Sequence, residues 1–590
     1  MCYISAMKYK TTWNLGLLYK NENDPEIEKD LKKIENLCAA FEKKYRKFDY
    51  ISSTEKMAKA LKDYENMSKK IEGSKPLWYF GLRTKLNSGD ELSSASETKL
   101  SQRITNASNK IAFFGLNIAK IAKKDQKKFL KDEKLKAYKY FLEKIFEHAK
   151  FNLSEGEEQV IDLLSETSYS MWIDGVQKLL GEQTIIYKGE KIPFTKANSM
   201  LSDLPKNERR EVYSKINEVS KSVAHFAEAE INAVYNYKKV LDERRKYAKP
   251  YSSTILAYEN DEKTVEMLVN LVTKYFFVSK RFYKLHAKLL KEEKITYADR
   301  SATIGKIKKD FDFDSSVSIV RDSFNKIDKK YGDILNKFLE NGQIDVYPKK
   351  GKSGGAFCSG NGDLPTFVLL NHTDDVNSVE TLAHEMGHAI HTELSKSQSI
   401  FYKDYTISVA EVASTFFEQV VSNELENHLS KDEQIIFLHN KIKGDVQTIF
   451  RQIACFNFEL ELHQKIREKG QLAKKEIAIL MNKHMKAYLG DTVEIKEDDG
   501  YFFVQWPHIR NFFYVYSYAY GQIISRALFE NWKKDKSYAK KIEQFLSSGS
   551  SMSPENIFKK IGIDTSDKTF FETGLKSIES DIKRLEKLTA

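Results

Sequence analysis

Two histidines and a glutamate stand close together in the segment Thr381-Leu-Ala-His384-Glu385-Met-Gly-His388-Ala-Ile-His391. On a helix, His384 and His388 project from one face, one turn apart. Two neutral imidazoles at that separation can bind one Zn²⁺ and leave coordination positions free. Glu385 is rotated off that face, where it could reach a metal-bound water but not easily the metal. The pattern His-Glu-x-x-His is therefore typical of a hydrolytic zinc site of the peptidase type.

A catalytic zinc usually has three protein ligands and a water, so a third ligand is expected on another element. The best candidate is Glu411, in the helical pattern Val409-Ala-Glu411-Val-Ala-Ser-Thr-Phe-Phe-Glu418. The small residues of this segment allow close packing against the histidine helix. A lone helical glutamate more commonly pairs with a surface lysine. The apolar surroundings of Glu411 instead favour a buried partner that offsets the desolvation of its carboxylate.

The elements that position these residues are predicted to be mostly helices. The chain has 26 glycines and 9 prolines among 590 residues, about half of the usual share, which leaves little room for a turn-rich β architecture. A chain of this length exceeds one hydrophobic core, so two or more subdomains are expected.

The charge pattern gives no sign of a nucleic-acid partner. A net charge of +11 arises from 95 basic and 84 acidic residues that share amphipathic helices. We interpret lysine clusters such as Lys123-Lys124 and Lys540-Lys541 as solvated faces.

Cysteine spacing and apolar runs bear on the compartment. The four cysteines form no Cys-x-x-Cys pair, so neither a disulfide framework nor a thiolate zinc site is expected. The N-terminal stretch 1–10 lacks an uninterrupted apolar segment, and no apolar run approaches about 18 residues. We therefore expect a cytoplasmic protein without a membrane partner.

Hydrophobic spacing predicts the order of the elements. Helical patterns cover residues 26–51, 53–71, 207–246, 264–290 and 311–339. Residues 184–194 carry β-prone residues around a Lys-Gly turn, which predicts a small hairpin. We place a boundary after it, which gives domains 1–195 and 196–590.

A second break precedes the histidine helix. The segment 341–362 is rich in glycine, and Gly354 and Gly355 suit either a mobile loop or a plain surface turn. A short apolar β-prone run follows at 366–371. Residues 377–380, Asn-Ser-Val-Glu, then have the form of a capping box and predict the start of the helix.

These motifs together resemble a known family. The segments 384–391 and 409–416 closely resemble the zinc-ligand helices of the oligoendopeptidase F branch of the thimet oligopeptidase family. The resemblance extends upstream through Ser353-Gly-Gly-Ala-Phe and 367–371. Downstream it covers Phe450-Arg-Gln and 506–521. It is strong over about residues 345–525 and weaker across the helical N-terminal part.

The resemblance implies a mainly α fold in which two helical halves enclose a deep active-site channel, with a small β-sheet beside the zinc helix. It implies one Zn²⁺ per chain, bound by His384, His388 and Glu411, with Glu385 as general base. The channel would limit substrates to short, unstructured peptides. The run 366–371 would be an edge strand that pairs with the substrate backbone.

The late aromatic segment is implied to stabilise the tetrahedral oxyanion. The matching residues are His508 and Tyr518, with Tyr514 and Tyr516 as further candidates because the alignment inside this run is loose. On a helix Tyr514 and Tyr518 share a face, whereas His508 follows Pro507 and is expected in a preceding loop.

The motifs alone do not assign a role to three neighbouring residues. His391 lies seven residues from His384 and could compete as a ligand, but its match to the family favours a supporting role. Glu418 is a candidate hydrogen-bond partner of a zinc histidine or a surface residue. Cys358 lies near the expected cleft without any feature that marks it as nucleophilic.

The predicted function is a zinc-dependent oligoendopeptidase that cleaves internal bonds of short peptides. The alternative is a zinc carboxypeptidase, which would release single C-terminal residues and hold the terminal carboxylate with a fixed basic group. A non-catalytic binding protein with a structural zinc would need a fourth protein ligand.

Overall fold

The computed structural model describes residues 9–590. The chain is 71% helical with small sheets, which confirms the predicted mainly α class. Residues 1–8, including Cys2 and most of the N-terminal stretch considered above, lie outside the described residues. Within the described part, no helix combines the length and the apolar character needed to cross a membrane.

The first fourteen helices precede residue 290. They are α1 (Glu26–Tyr45), α2 (Thr54–Ile71), α3 (Lys75–Leu86), α4 (Glu91–Asn109), α5 (Phe113–Ala119), α6 (Lys123–Lys131), α7 (Lys139–His148), α8 (Glu155–Ser165), α9 (Met171–Gly181), α10 (Phe194–Met200), α11 (Lys206–Arg245), α12 (Ser252–Ala257), α13 (Glu262–Lys274) and α14 (Phe276–Leu289).

The later helices include the two that carry His384, His388 and Glu411. They are α15 (Phe313–Asn325), α16 (Lys329–Asn341), α17 (Val376–Ser395), α18 (Ile407–Leu425), α19 (Lys431–Asp445), α20 (Arg451–Lys469), α21 (Lys474–Leu489), α22 (Tyr516–Lys534), α23 (Ala539–Leu546), α24 (Pro554–Lys560) and α25 (Lys568–Leu588). The strands are β1 (Thr184–Tyr187), β2 (Glu190–Pro193), β3 (Ile295–Thr296), β4 (Ile344–Asp345), β5 (Phe357–Ser359), β6 (Phe367–Leu369) and β7 (Val493–Glu494).

Most predicted elements form. The hairpin is confirmed, since β1 and β2 pair antiparallel around Lys188 and Gly189, which both have positive φ as a tight two-residue turn requires. The pattern at 207–246 forms one 40-residue helix, α11. The pattern at 264–290 is divided into α13 and α14 by the non-helical Tyr275. A one-residue break leaves the spacing of apolar residues almost unchanged, so periodicity alone does not reveal it.

The first of two compact units consists of residues 9–150, Lys309–Asn427 and Leu528–Ile561. Its three-stranded sheet packs against α17, which confirms the small sheet beside the histidine helix. The indole N–H of Trp13 donates to the carbonyl of Val368 at 2.7 Å, and its ring packs on Phe367. The N-terminal segment thereby anchors the sheet.

The predicted edge strand at 366–371 is wrong in its position. The strand order is β4-β6-β5, and Val368 of β6 pairs with Ile344 on one side and with Cys358 on the other. Because β6 is central and its residues are fully buried, it has no free edge for a peptide. An apolar run of this kind predicts burial but not which strands flank it.

The second compact unit consists of Phe151–Lys308, His428–Ala527 and Gly562–Ala590. Within it, α11 packs against α20, and α21 packs against α14 and α20. The short strands β3 and β7 pair in parallel. The aromatic segment that follows residue 500 belongs to this unit.

Candidate active site

The histidine helix α17 begins two residues earlier than predicted. Its N-cap is Asp375, whose carboxylate accepts the N–H of Ser378 at 2.8 Å. The capping box predicted at 377–380 is therefore wrong, and Glu380 instead accepts the hydroxyl of Ser422 on α18 at 2.6 Å. Aspartate and asparagine are both favoured at the N-cap, so the sequence allows the helix to begin after either Asp375 or Asn377.

The predicted ligand residues converge in the first unit. The rings of His384 and His388 lie 5.0 Å apart. Glu411 on α18 faces both, with one carboxylate oxygen 3.6 Å from Nε2 of His384 and the other 3.9 Å from Nε2 of His388. Three donor atoms, one from each residue, lie within 4.8 Å of one another. Two nitrogens and one oxygen at this spacing fit a catalytic zinc, because they leave a coordination position open.

Gly387 determines how closely the two helices approach. A Cβ atom at Gly387 would lie 2.7 Å from Cα of Ser414 and 3.3 Å from the carbonyl oxygen of Ala413. Real Cβ atoms essentially never approach another atom to 2.7 Å, and a contact of 3.3 Å is already unusually tight. The glycine between the two histidines thus allows α18 to bring Glu411 to the imidazoles, as the small residues of α18 suggested.

Glu418 orients one of the histidines. Glu418 lies two helical turns after Glu411 on α18, and its carboxylate is 2.8 Å from Nδ1 of His384. Donation from Nδ1–H leaves the lone pair on Nε2, the nitrogen that faces Glu411. The geometry matches the hypothesis of a hydrogen-bond partner to a zinc histidine.

The charge around His384 favours a cation. Burial alone would lower the pKa of His384, but the hydrogen bond to Glu418 and the charges of Glu385 and Glu411 raise this pKa to about 9. The excess of carboxylates thus stabilises positive charge at the imidazole. A divalent ion would satisfy the same need, so the electrostatics as well as the donor atoms fit a metal.

Glu385 is placed beside the three donors without joining them. Its side chain is 7% exposed and accepts a hydrogen bond from the backbone N–H of Cys358. Burial raises the pKa of Glu385 to about 7, although the charge of His384 opposes the shift. A carboxylate of this kind is suited to proton transfer near neutral pH.

A cavity of about 600 Å³ opens over these groups. Its wall includes His384, Glu385, His388 and Glu411, together with residues of β5 and of the loop before α18. Cys358 also lines it, and burial raises the pKa of its thiol well above the usual value. A protonated thiol is a poor nucleophile, in agreement with the sequence.

His391 supports the helix and is not placed among the three donors. Its ring is fully buried and stacks on Tyr405 at 3.7 Å with an angle of 6°. Neither ring nitrogen has a hydrogen-bond partner within the described residues. Burial lowers the pKa of His391 to about 3, so the ring is neutral and acts in packing.

The late aromatic residues form a separate cluster in the second unit. His508 lies on a short 3₁₀ turn before α22, as expected, and its Nδ1 contacts the hydroxyl of Tyr514. The hydroxyls of Tyr514 and Tyr518 are 3.4 Å apart. Tyr516 points elsewhere, because it is buried and donates to Asn260 at 2.8 Å. The geometry groups two of the three candidate tyrosines with His508.

Gln452 is a contact of this cluster that sequence reasoning did not single out. Its amide nitrogen lies 3.4 Å from Nε2 of His508. It belongs to the Phe450-Arg-Gln segment that carried part of the family resemblance, and that match was the available signal.

Burial and the charge of Arg451 lower the pKa of His508 to about 4, so the imidazole is neutral at physiological pH.

The fold and site agree with comparisons to known proteins. Residues 195–577 match the family model of peptidase family M3, and residues 117–174 match that of oligopeptidase F. The first match covers more than half of the chain, which therefore belongs to peptidase family M3. The resemblance recognised in the motifs is confirmed.

Relatives extend over nearly the whole chain. Oligopeptidase PepF of Bacillus subtilis is 25% identical over 99% of this chain and 88% of that protein. An oligoendopeptidase F homolog of Borreliella burgdorferi is 26% identical over 98% of both. The protein is accordingly a metallo-oligopeptidase that acts on peptides.

Solved structures show the same fold. A protein of Chlamydophila abortus has a TM-score of 0.85 at 20% identity, over 98% of both chains. Oligoendopeptidase-F from Enterococcus faecium has a TM-score of 0.68 at 18% identity, over 96% of this chain and 97% of that one. Metallocarboxypeptidase 1 of Trypanosoma cruzi has a TM-score of 0.51 at 14% identity, over 93% of this chain and 99% of that one. The fold alone thus accommodates endopeptidases and carboxypeptidases.

Gly387→Ala is expected to weaken both the fold and the metal site. Overpacking costs about 1–3 kcal/mol, which equals or exceeds the gain of about 1 kcal/mol in helix propensity. Separation of α17 from α18 should also lower metal affinity about tenfold or more by displacing Glu411. Thermal unfolding and metal titration measure the two effects.

Gly115→Ala is the matched control, because Gly115 lies inside α5 of the same unit with open space around its Cβ position. This variant should unfold at the same or a slightly higher temperature and bind metal normally. Unchanged metal affinity in Gly387→Ala would contradict the role of the close helix contact.

Proposed function

We propose that this metallo-oligopeptidase is a zinc-dependent oligoendopeptidase that hydrolyses internal bonds of short, unstructured peptides, with one zinc ion per chain. The observation that carries the proposal is the convergence of His384, His388 and Glu411 on the wall of a cavity that also holds Glu385. A structural zinc would need a fourth protein ligand, and the donor group formed by the described residues contains three.

The proposed ligands are His384, His388 and Glu411, with Glu418 holding His384 in the tautomer that coordinates. A bound zinc ion supplies Lewis-acid polarisation of the scissile carbonyl and lowers the pKa of water in its open position. The chain's own contribution is the orientation of the three donors by α17 and α18.

Glu385 is the proposed general base. It lies beside His384 yet outside the donor group, so its carboxylate remains available for a proton. In the proposed reaction Glu385 accepts a proton from the attacking water as the water oxygen bonds to the scissile carbonyl carbon. The same proton then passes to the leaving amine nitrogen as the C–N bond breaks.

His508 and Tyr518 are the proposed donors to the oxyanion. Support comes from the family resemblance and from the hydrogen-bonded arrangement of His508, Tyr514 and Tyr518. A neutral His508 and a phenol can both donate hydrogen bonds to developing negative charge. Tyr514 contacts both and is the proposed support that orients them.

β5 is the proposed site of backbone pairing with substrate. It replaces the central strand β6 in this role, because it is an outer strand of the sheet and Ala356, Phe357 and Cys358 line the cavity. Pairing through the main chain would bind extended peptides with little side-chain preference.

We further propose residues 196–590 as the catalytic domain and residues 1–195 as an N-terminal helical domain. The match of peptidase family M3 to residues 195–577 supports this division.

The carboxypeptidase alternative needs a cation for the terminal carboxylate. Two lysines line the cavity, and both are already paired. Lys396 contacts Glu393 at 2.6 Å and donates to the carbonyl of Leu364. Lys403 contacts Asp363. Since these charges are compensated within the protein, the cavity favours internal cleavage over capture of a free C-terminus.

Glu385→Gln is expected to lower kcat for peptide hydrolysis by about 10³-fold or more while zinc content remains near one per chain, because the amide removes the base but not a ligand. Metal analysis and a peptide cleavage assay on the same preparation measure this. Glu424→Gln on α18 is the matched control, since Glu424 forms an ion pair with Lys326 and should leave both readouts unchanged. Full activity in Glu385→Gln would exclude the proposed mechanism.

Cleavage products should distinguish the two peptidase types. Mass spectrometry of a peptide of about ten residues is expected to show internal fragments from the first turnovers, with a C-terminally amidated copy cleaved equally well. Release of single C-terminal residues, abolished by amidation, would establish the carboxypeptidase alternative.

Tyr518→Phe is expected to lower kcat about 10²-fold with little change in KM, because loss of one oxyanion donor acts on the transition state. Tyr516→Phe removes a hydroxyl that bonds to Asn260 and should lower the unfolding temperature without a loss of kcat. Steady-state kinetics of both variants measure the contrast. A loss of kcat in Tyr516→Phe without one in Tyr518→Phe would assign the oxyanion donor to Tyr516.

A further inference from the structure

Two successive phenylalanines adopt left-handed backbone conformations. The φ angles are +40° at Phe512 and +64° at Phe513. This region is unfavourable for any residue with a Cβ, and more so for bulky ones. Such conformations persist where the surrounding structure imposes them, and they concentrate at functional sites.

The turn that contains them is held by side chains from four other segments. Hydroxyl groups donate to three of its carbonyls: Tyr235 to Ile509 at 2.9 Å, Tyr169 to Arg510 at 2.6 Å and Thr254 to Phe512 at 2.8 Å. The N–H of Phe513 donates to Glu459 of α20 at 3.0 Å. Three of the four peptide groups between Ile509 and Phe513 are thus held by groups distant in sequence, and the 512–513 peptide group is held at both its carbonyl and its N–H.

A buried ion pair secures the start of the turn. The guanidinium of Arg510 binds both carboxylate oxygens of Glu230 at 2.8 and 2.7 Å. It also donates to the carbonyls of Phe503, Val504 and Trp506. Both charged side chains are almost completely buried, and every guanidinium nitrogen of Arg510 has an acceptor in these contacts.

The turn connects His508 to Tyr514. It begins with the N–H of Asn511, which donates to the carbonyl of His508 at 3.0 Å. It ends at Tyr514, whose hydroxyl returns to Nδ1 of His508 and lies 3.4 Å from the hydroxyl of Tyr518. The left-handed residues Phe512 and Phe513 lie between the two side chains, which meet across this turn.

Glu459 is the least expected of these groups. It is fully buried, and one of its oxygens accepts the N–H of Phe513. Burial raises the pKa of Glu459 to about 8, so the side chain is neutral at physiological pH. His463, one turn further along α20, stacks its ring on Phe513 at 5.0 Å. Both residues of α20 thus act on the same strained position.

We propose that Glu459 is a positioning residue for the peptidase reaction: by accepting the N–H of Phe513 it holds the left-handed turn that aligns His508 with Tyr514. The inference rests on the proposed role of His508 in the reaction. It assigns a function to a buried acid that contacts neither the donor group of the metal nor the oxyanion donors.

The test compares two replacements of Glu459. Glu459→Gln retains a carbonyl acceptor in a neutral side chain and should keep kcat within about twofold. Glu459→Leu retains the volume without an acceptor and should lower kcat about tenfold to hundredfold, as expected for a misplaced catalytic group. KM and zinc content should change little. Equal loss in both variants, or full kcat in Glu459→Leu, would overturn the proposal.

Coupling to His508 separates positioning from simple stability. Glu459→Leu should have little further effect in a His508→Ala background, whereas multiplicative losses would contradict a role through His508. Asp445→Asn is the structural control, because Asp445 binds the buried Arg526 of the same unit. It should lower the unfolding temperature without changing kcat per folded molecule.

Two further outcomes keep the hypotheses distinct. If His508→Ala retains full kcat, the proposed role of His508 fails and this inference fails with it. If His508→Ala is impaired while Glu459→Leu is not, the positioning role alone is wrong. Should Glu459→Leu not fold, Thr254→Val replaces it, since it removes the donor to Phe512 and should lower kcat in the same direction.

Discussion

The close contact between α17 and α18 is the constraint on which the rest of the candidate metal site depends. Without a Cβ at Gly387, the backbones approach until Ser414 touches the histidine helix. Glu411 and Glu418 are then both presented to His384, one to each ring nitrogen. The positions of the donor residues are therefore set mainly by the packing of the two helix backbones.

That packing concentrates negative charge. Glu385, Glu411 and Glu418 surround a single imidazole, and together they stabilise positive charge on it. In a half-buried site such an arrangement is costly unless a cation joins it. The same carboxylates differ in role because their distances differ: Glu411 faces both Nε2 atoms, Glu418 contacts Nδ1, and Glu385 lies to the side.

Local motifs were predictable from the sequence, and long-range arrangements were not. His384, Glu385 and His388 lie within two turns of one helix, so spacing determines their geometry. Glu411 could be inferred because small residues accompany it. The central position of β6 could not, since an apolar run does not name its neighbours. The roles of Glu230 and Glu459 depend on partners far away in the chain, and phenylalanine has no preference for positive φ that would have marked the turn at 512–513.

The order of the chain has a consequence for folding. The first unit is assembled from three separated segments, the last of which contributes α23. Phe545 of α23 packs on the ring of His391, about 150 residues after His391 emerges from the ribosome. Contacts of such sequence separation form slowly. The buried face of α17 around His391 is therefore completed only when α23, which is synthesised much later, packs against it.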